Sequence, residues 1–214
     1  MNTLALTGGI ACGKSLFGSF LAQLGADVVD TDDLVHRLHA PGGEAAKAVE
    51  HAFGPEFLAP DGGTDRAKLA RLVFSEPSAR LRLESIVHPL LRGTLLAWRD
   101  APAAPGAAPL RVAQIPLLFE TGWTDGWDFT ATVETSSEEA RLARLRARGL
   151  SDEEASARIA AQLPASERIA RADFAILNDG TAAELFEKAR ELFRRCTMPN
   201  AECTSNLEPL NFKL

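Results

Sequence analysis

The chain has 214 residues, 46% of them hydrophobic, and a formal net charge of −6. This length supports one core with modest insertions and is too short for two large independent domains. The negative charge argues against a broad nucleic-acid-binding surface. No apolar run approaches the roughly 18 residues that a membrane span needs. The three scattered cysteines favour a reducing compartment. Met1, Asn2 and Thr3 run straight into the first predicted strand, which leaves no room for a signal peptide, so we expect a soluble cytoplasmic protein with neither nucleic-acid nor membrane partners.

The N-terminal segment carries a phosphate-binding motif. Gly8, Gly13, Lys14 and Ser15 fill the pattern G-x-x-x-x-G-K-[ST], with an apolar strand predicted before it and an apolar helix after it. In that context the backbone amides and the helix N-terminus surround phosphate oxygens, Lys14 reaches the terminal phosphates, and the Ser15 hydroxyl holds Mg²⁺. The loop residues assigned to nucleotide binding are Gly8, Gly9, Ile10, Ala11, Cys12, Gly13, Lys14 and Ser15.

Cys12, inside this loop, supports a separate hypothesis. A thiol close to a helix N-terminus gains thiolate character, so its oxidation would block ATP binding. The simpler interpretation is that Cys12 only fills space as a small residue.

A second predicted strand, residues 26–30, ends in an acidic segment. Asp32 follows its carboxyl end, where open α/β sheets bind ligands, and is therefore a candidate site residue. Asp30 or Thr31 could instead serve only to cap the helix that follows. The local sequence leaves both interpretations open.

Residues 34 to about 100 lack strand alternation and form helical runs between glycine and proline turns. A helical insertion of this length between two core strands is typical of a substrate-binding lobe, and the proline-rich loop 101–109 closes it. Because proline favours the first turn of a helix, we place His88 at a helix entrance, with Arg92 one turn further. Capping and core packing are alternative roles for His88, and most basic side chains here, including Arg66, are expected on solvated faces.

Three more strands, residues 110–115, 129–133 and 172–177, complete the predicted sheet. Pro116 ends the first of them, which places Glu120 near the site if the strands are parallel.

A helical hairpin is predicted after the fourth strand. It carries Arg141, Arg144 and Arg148 at offsets of three and four, and hence on one helix face. Guanidinium groups suit a polyphosphate, and a mobile flap that excludes water is what a phosphotransfer enzyme needs. A solvated surface helix is the alternative.

Several blocks, in this order and spacing, carry a family resemblance. They are the loop through Ser15, Asp30-Thr31-Asp32, His88-Pro89 with Arg92, Pro116–Glu120, Arg144 with Arg148, Gln162, and Ala172-Asp173 running into Asn178-Asp179-Gly180. Over residues 3–195 the chain resembles the dephospho-coenzyme A kinase family. The resemblance implies an α/β P-loop NTPase fold: a five-stranded parallel sheet flanked by helices, with a helical coenzyme A lobe and a small helical lid.

The resemblance also implies roles for individual residues. Asp32 would be the general base facing the ribose 3′-hydroxyl of dephospho-coenzyme A, and Lys14 and Arg144 would complete the catalytic set. Arg144, Arg148 and Asn178 would join the loop in binding ATP, with Mg²⁺ as the metal. The residues assigned to substrate binding are Asp32, Arg66, His88, Arg92, Pro116 and Glu120. Two departures from the family pattern are Arg141, where Gln is usual, and Ala11-Cys12, where Gly-Ser is frequent.

We accordingly expect a nucleotide-binding core (1–33 with 110–137 and 168–195), a coenzyme A lobe (34–109), a lid (138–167) and a poorly ordered tail (196–214). The predicted reaction moves the γ-phosphate of ATP to dephospho-coenzyme A. Alternatives are a P-loop kinase for another small acceptor, such as a nucleotide or sugar acid, and a nucleotide-dependent switch. The sequence leaves the oligomeric state open.

Overall fold

The computed structural model describes residues 1–198, and a five-stranded parallel sheet lies at their centre. The strands are β1 (Asn2–Gly8), β2 (Asp27–Asp30), β3 (Leu110–Gln114), β4 (Phe129–Glu134) and β5 (Phe174–Leu177). Their order is β2-β3-β1-β4-β5, with Leu4 of β1 in register with Val112 on one side and Phe129 on the other. The predicted parallel sheet is confirmed.

The helices assigned within these residues are α1 (Lys14–Gln23), α2 (Thr31–His39), α3 (Glu44–Phe53), α4 (Arg66–Ser75), α5 (Pro77–Asp100), α6 (Glu138–Arg146), α7 (Asp152–Ala160), α8 (Ala165–Arg171) and α9 (Ala182–Thr197). None of the helices in this part of the chain is long and apolar enough to cross a membrane.

The core forms where helices cover the sheet. Leu4 and Leu6 of β1 are fully buried against Phe17 and Leu21 of α1, which are spaced one helical turn apart. Strands covered in this way read as apolar runs and not as alternating patterns. Each large apolar side chain buried there contributes roughly 1.5–3 kcal/mol.

Helix α9 extends further than the sequence indicated. Cys196 is fully buried and continues the stripe of Leu185, Ala189 and Leu192, so the helix runs to Thr197 and the first two residues assigned to the tail belong to it. Burial of this small apolar side chain outweighs the polar character of the segment that follows. Met198 caps the helix, and the remaining residues of the predicted tail, 199–214, lie outside the described residues.

The chain divides into two compact units. The first comprises Met1–Val29 and the chain from Ala103 onward; the second comprises Asp30–Pro102. In the second unit α5 packs against α2, α3 and α4, and the buried His39 imidazole lies 2.9 Å from the Thr64 hydroxyl. The functional boundaries of core, lobe and lid stay predictions.

The placement of His88 at a helix entrance is wrong. Helix α5 begins with Pro77 at its first turn and continues through Pro89, so the exposed His88 lies in mid-helix. An interior proline costs about 3 kcal/mol. Four buried apolar side chains on α5 outweigh that cost; they are Ala79, Val87, Leu91 and Leu95.

Candidate nucleotide site

The phosphate-binding motif folds as a loop between β1 and α1, as predicted. Strand β1 ends at Gly8, helix α1 begins at Lys14, and Gly13 at the helix N-cap has a φ of 98°. Because that φ lies in the left-handed region, and because a Cβ at Gly13 would collide with the Asn178 amide, only glycine fits. No side chain caps α1, so its first amides point into the loop, where they can hold phosphate.

Two further glycines allow close approach behind the loop. A Cβ on Gly8 would collide with the carbonyl of Val133 in β4. A Cβ on Gly9 would lie 2.7 Å from Cys12 Sγ and 2.8 Å from Arg168 Nη2. The loop is therefore packed tightly against β4 and α8.

Lys14 and Ser15 are the first two residues of α1, and the Ser15 side chain is exposed. The hydroxyl oxygen is a hard ligand of the kind that Mg²⁺ prefers. Mg²⁺ usually binds few protein ligands, and the phosphates of the substrate supply others. Among residues 1–198, no group of three or more His, Cys, Asp or Glu side chains could hold a metal ion.

A buried ion pair lies behind the loop. Glu134, the last residue of β4, and Arg168 of α8 are each 1% exposed and form two parallel hydrogen bonds of 2.7 Å. Thr132 donates a third bond of 2.7 Å to Glu134 Oε1. Burial lowers the pKa of Arg168, but the hydrogen bonds and charge of Glu134 outweigh it, so the pKa lies above its usual value. The sequence analysis missed this pair.

Cys12 is a protonated thiol in this loop. Burial and the negative charge of Glu134 raise its pKa to about 11, against the opposing influence of Arg141 and Arg168. Reactivity requires the thiolate, which is scarce at neutral pH when the pKa is this high. The raised pKa and the burial of Cys12 therefore argue against a redox-sensitive thiol and favour the interpretation that Cys12 fills space as a small residue.

Two arginines of α6 hold the outside of the loop. Arg141 Nε donates to the carbonyl of Ile10 at 3.3 Å, and Arg144 Nη1 donates to the carbonyl of Ala11 at 2.9 Å. The prediction that Arg148 shares their helix face is wrong. Helix α6 ends at Arg146, before Arg148, and Gly149 beyond it has a left-handed φ of 88°. Arg148 is exposed on the turn that follows.

Three other predicted site residues also support the loop or its neighbours. Asn178 Nδ2 donates to the carbonyl of Cys12 at 2.8 Å. Glu120 Oε1 accepts a 3.0 Å bond from the backbone N–H of Leu163, and the Pro116 carbonyl accepts one of 3.3 Å from the Thr7 hydroxyl. The loop and these groups all belong to the first unit.

The comparisons with known proteins decide the family. The family model described as dephospho-CoA kinase matches residues 2–184. The chain belongs to the dephospho-CoA kinase family. It is 42% identical over 209 residues to a dephospho-CoA kinase from Anaeromyxobacter dehalogenans, an alignment that covers 94% of this chain and 98% of that one. The resemblance noted from the sequence is confirmed.

Solved structures agree with this family. A Thermus thermophilus crystal structure matches with a TM-score of 0.75 and 35% identity, covering 92% of this chain and 98% of that one. A dephospho-CoA kinase from Campylobacter jejuni matches with a TM-score of 0.64 and 25% identity, covering 91% and 97%. These matches confirm the predicted P-loop kinase fold.

The second unit of this kinase-family chain holds the remaining predicted residues. Asp30 caps α2 by accepting a 2.9 Å bond from the N–H of Asp32, so capping explains Asp30 and leaves the Asp32 carboxylate exposed in the first turn. Arg66 Nη1 lies 3.1 Å from the His36 imidazole. His88 and Arg92 are exposed one turn apart on α5.

Proposed function

We propose that this protein transfers the γ-phosphate of ATP to the ribose 3′-hydroxyl of dephospho-CoA, yielding CoA and ADP. The observation that carries the proposal is the loop Gly8–Ser15, which leads into a helix whose N-terminus has no side-chain cap. It lies in a chain that matches the dephospho-CoA kinase family over residues 2–184. Such a loop binds the donor, and the family relationship supports the acceptor.

The donor half of the proposed mechanism rests on the loop. Its amides and Lys14 hold the β- and γ-phosphates in line for transfer, where positioning and charge neutralisation supply most of the catalysis. The Ser15 hydroxyl would hold Mg²⁺, which would supply positive charge that neutralises the phosphates of ATP. Arg144 and Arg148 add positive charge over the transferred group; the 2.9 Å bond from Arg144 to Ala11 supports this role because it places α6 against the loop.

The acceptor half assigns the proton to Asp32. Its exposed carboxylate accepts the proton of the attacking 3′-hydroxyl as the new P–O bond forms. Arg66 and Arg92 offer guanidinium groups to the phosphates of dephospho-CoA. His88, Pro116 and Glu120 are proposed to contact the same substrate.

The test is an acceptor-dependence assay on the full chain. With ATP and Mg²⁺, we expect ADP to form only when dephospho-CoA is added, in a one-to-one ratio with a product that matches authentic CoA in mass and chromatographic retention. Lys14→Ala is the matched variant that should lose turnover. ADP that forms equally fast without acceptor would favour a switch, and faster turnover with AMP, shikimate or gluconate would favour another kinase.

A further inference from the structure

The Glu134–Arg168 ion pair contacts both the phosphate-binding loop and the end of the helical hairpin formed by α6 and α7. We infer that Glu134 and Arg168 are positioning residues that hold the loop segment Gly9–Cys12 and the segment Gln162–Leu163 in one fixed arrangement, so that the loop amides are preorganised for ATP. The inference rests on the proposed function only in taking ATP as the ligand.

On the loop side, the pair lies directly against the backbone. A Cβ built on Gly9 would lie 2.8 Å from Arg168 Nη2 and 3.0 Å from Glu134 Oε2, which is too close for any side chain. The Cys12 thiol lies 3.8 Å from Glu134 Oε2. Both partners of the pair therefore lie against the turn that Gly9 and Cys12 close with a 3.0 Å backbone hydrogen bond.

On the hairpin side, Arg168 uses its remaining nitrogen. Nε and Nη2 donate to Glu134, and Nη1 donates to the carbonyl of Leu163. The N–H of Leu163 donates to Glu120, and the neighbouring Gln162 accepts from the N–H of Ile10. All three guanidinium nitrogens are thus engaged in a planar arrangement that the single ammonium of lysine cannot reproduce.

Stability alone is a weak explanation for this pair. Desolvation of two charges offsets most of their mutual attraction, and apolar replacements of buried pairs are often as stable or more so. A planar, bidentate pair instead fixes distance and angle between the three segments that it joins. Preorganisation of the phosphate site is therefore the better account of its position.

The test compares Arg168→Lys, which keeps the charge and loses the planar geometry, with Glu134→Gln. Leu192→Ala, in the core of α9 and away from the loop, is the control for general destabilisation. The dissociation constant of Mg·ATP is measured without acceptor, beside the thermal midpoint and kcat. We expect both pair variants to weaken ATP binding at least tenfold while kcat at saturating ATP falls less than threefold, and the control to stay within twofold.

Alkylation of Cys12, followed by mass spectrometry, supplies a second readout. Glu134→Gln removes a negative charge that raises the Cys12 pKa and loosens the cover of the thiol, so iodoacetamide should modify Cys12 at least tenfold faster, relative to the buried Cys196 of the same chain. Leu192→Ala should leave that ratio unchanged.

Equal ATP affinity and equal Cys12 reactivity in the pair variants and in Leu192→Ala, at similar thermal midpoints, would overturn the inference. If the single variants fail to fold, the double variant Glu134→Met with Arg168→Met removes the pair without leaving a lone buried charge, and the same criteria apply. Because ATP binding is measured without acceptor, a wild-type chain that binds ATP but does not phosphorylate dephospho-CoA would refute the proposed function and leave this test intact.

Discussion

The side-chain oxygen of Gln162 accepts a 2.7 Å hydrogen bond from the backbone N–H of Ile10, 152 positions earlier in the chain. In the same loop, Arg141 donates a hydrogen bond to the carbonyl of Ile10, and Arg144 donates one to the carbonyl of Ala11. Side chains of the hairpin that contains α6 and α7 thus hold the backbone groups of the loop. A change in the hairpin is therefore a change in the phosphate site.

Gln162→Ala tests this connection. A hydrogen bond of this kind is worth about 1 kcal/mol, so its loss should raise KM for ATP about fivefold while KM for dephospho-CoA stays within twofold. Steady-state kinetics with each substrate varied in turn measures both constants. Gln23→Ala, on the exposed end of α1, is the control and should change neither. Equal effects on both substrates would contradict the assigned role.

Gly9→Ala should damage ATP binding through sterics alone. Its Cβ would meet Cys12, Arg168 and Glu134 at 3.0 Å or less, so the loop must shift, and we expect at least a tenfold rise in KM for ATP. Gly93→Ala is the matched control, because nothing lies within 4 Å of its Cβ and the site is an exposed helix interior. There alanine gains about 1 kcal/mol of helix propensity, and the thermal midpoint should rise by about 2–4 °C with unchanged kinetics. A harmless Gly9→Ala would show that the loop is not tightly packed.

The sheet and the loop could be predicted because their signals are local. The apolar run before Gly8 and the G-K-S sequence after it specify strand, turn and helix start without reference to the rest of the chain. The family resemblance depended on the order of several such local blocks. Short-range patterns thus accounted for the architecture.

What escaped prediction depends on long-range contacts. Arg168 lies in a polar helical stretch that resembles solvated surface, and its partner Glu134 is 34 positions away. Only the fold reveals that both are buried. His88 was misplaced for a related reason: Pro89 is a local signal for the start of a helix, but tertiary packing carries α5 through it.

Asp179 should contribute stability that depends on pH. Burial raises its pKa, but hydrogen bonds from Thr135 and Ser136 outweigh burial and lower it below the ordinary value. The unfolded chain then binds the proton more tightly, so this stability is present above about pH 4 and is lost as pH falls through the lowered pKa.

Asp179→Asn measures that contribution. Allowing for solvent exposure, we expect the free energy of unfolding to fall by about 1 kcal/mol at pH 7, with the difference from the parent chain shrinking as the pH falls below about 4. Urea unfolding at pH 7, 5, 4 and 3 gives the comparison. Glu50→Gln on the exposed face of α3 is the control and should show no pH-dependent difference. A constant difference at every pH would rule out titration of Asp179 as the cause.

Asp32→Asn separates the two halves of the proposed mechanism. The substitution keeps the size of the side chain and removes its ability to accept a proton. General-base catalysis contributes roughly 100-fold or more, so kcat should fall by at least that factor while ATP affinity stays within about twofold. Lys14→Ala should instead weaken ATP binding as well as turnover, because it removes a phosphate contact.

Asp33→Asn is the matched control for Asp32→Asn, since Asp33 is the next residue in the same first turn of α2 and is likewise exposed. Any effect of lost negative charge on helix stability is shared by the two variants and amounts to well under about 1 kcal/mol. Rates of CoA formation at saturating substrates, with ATP affinity from equilibrium titration, give both quantities. If Asp32→Asn retains more than about a tenth of the activity, or if Asp33→Asn is impaired equally, proton acceptance must be assigned to another group, because the lost base is then not limiting.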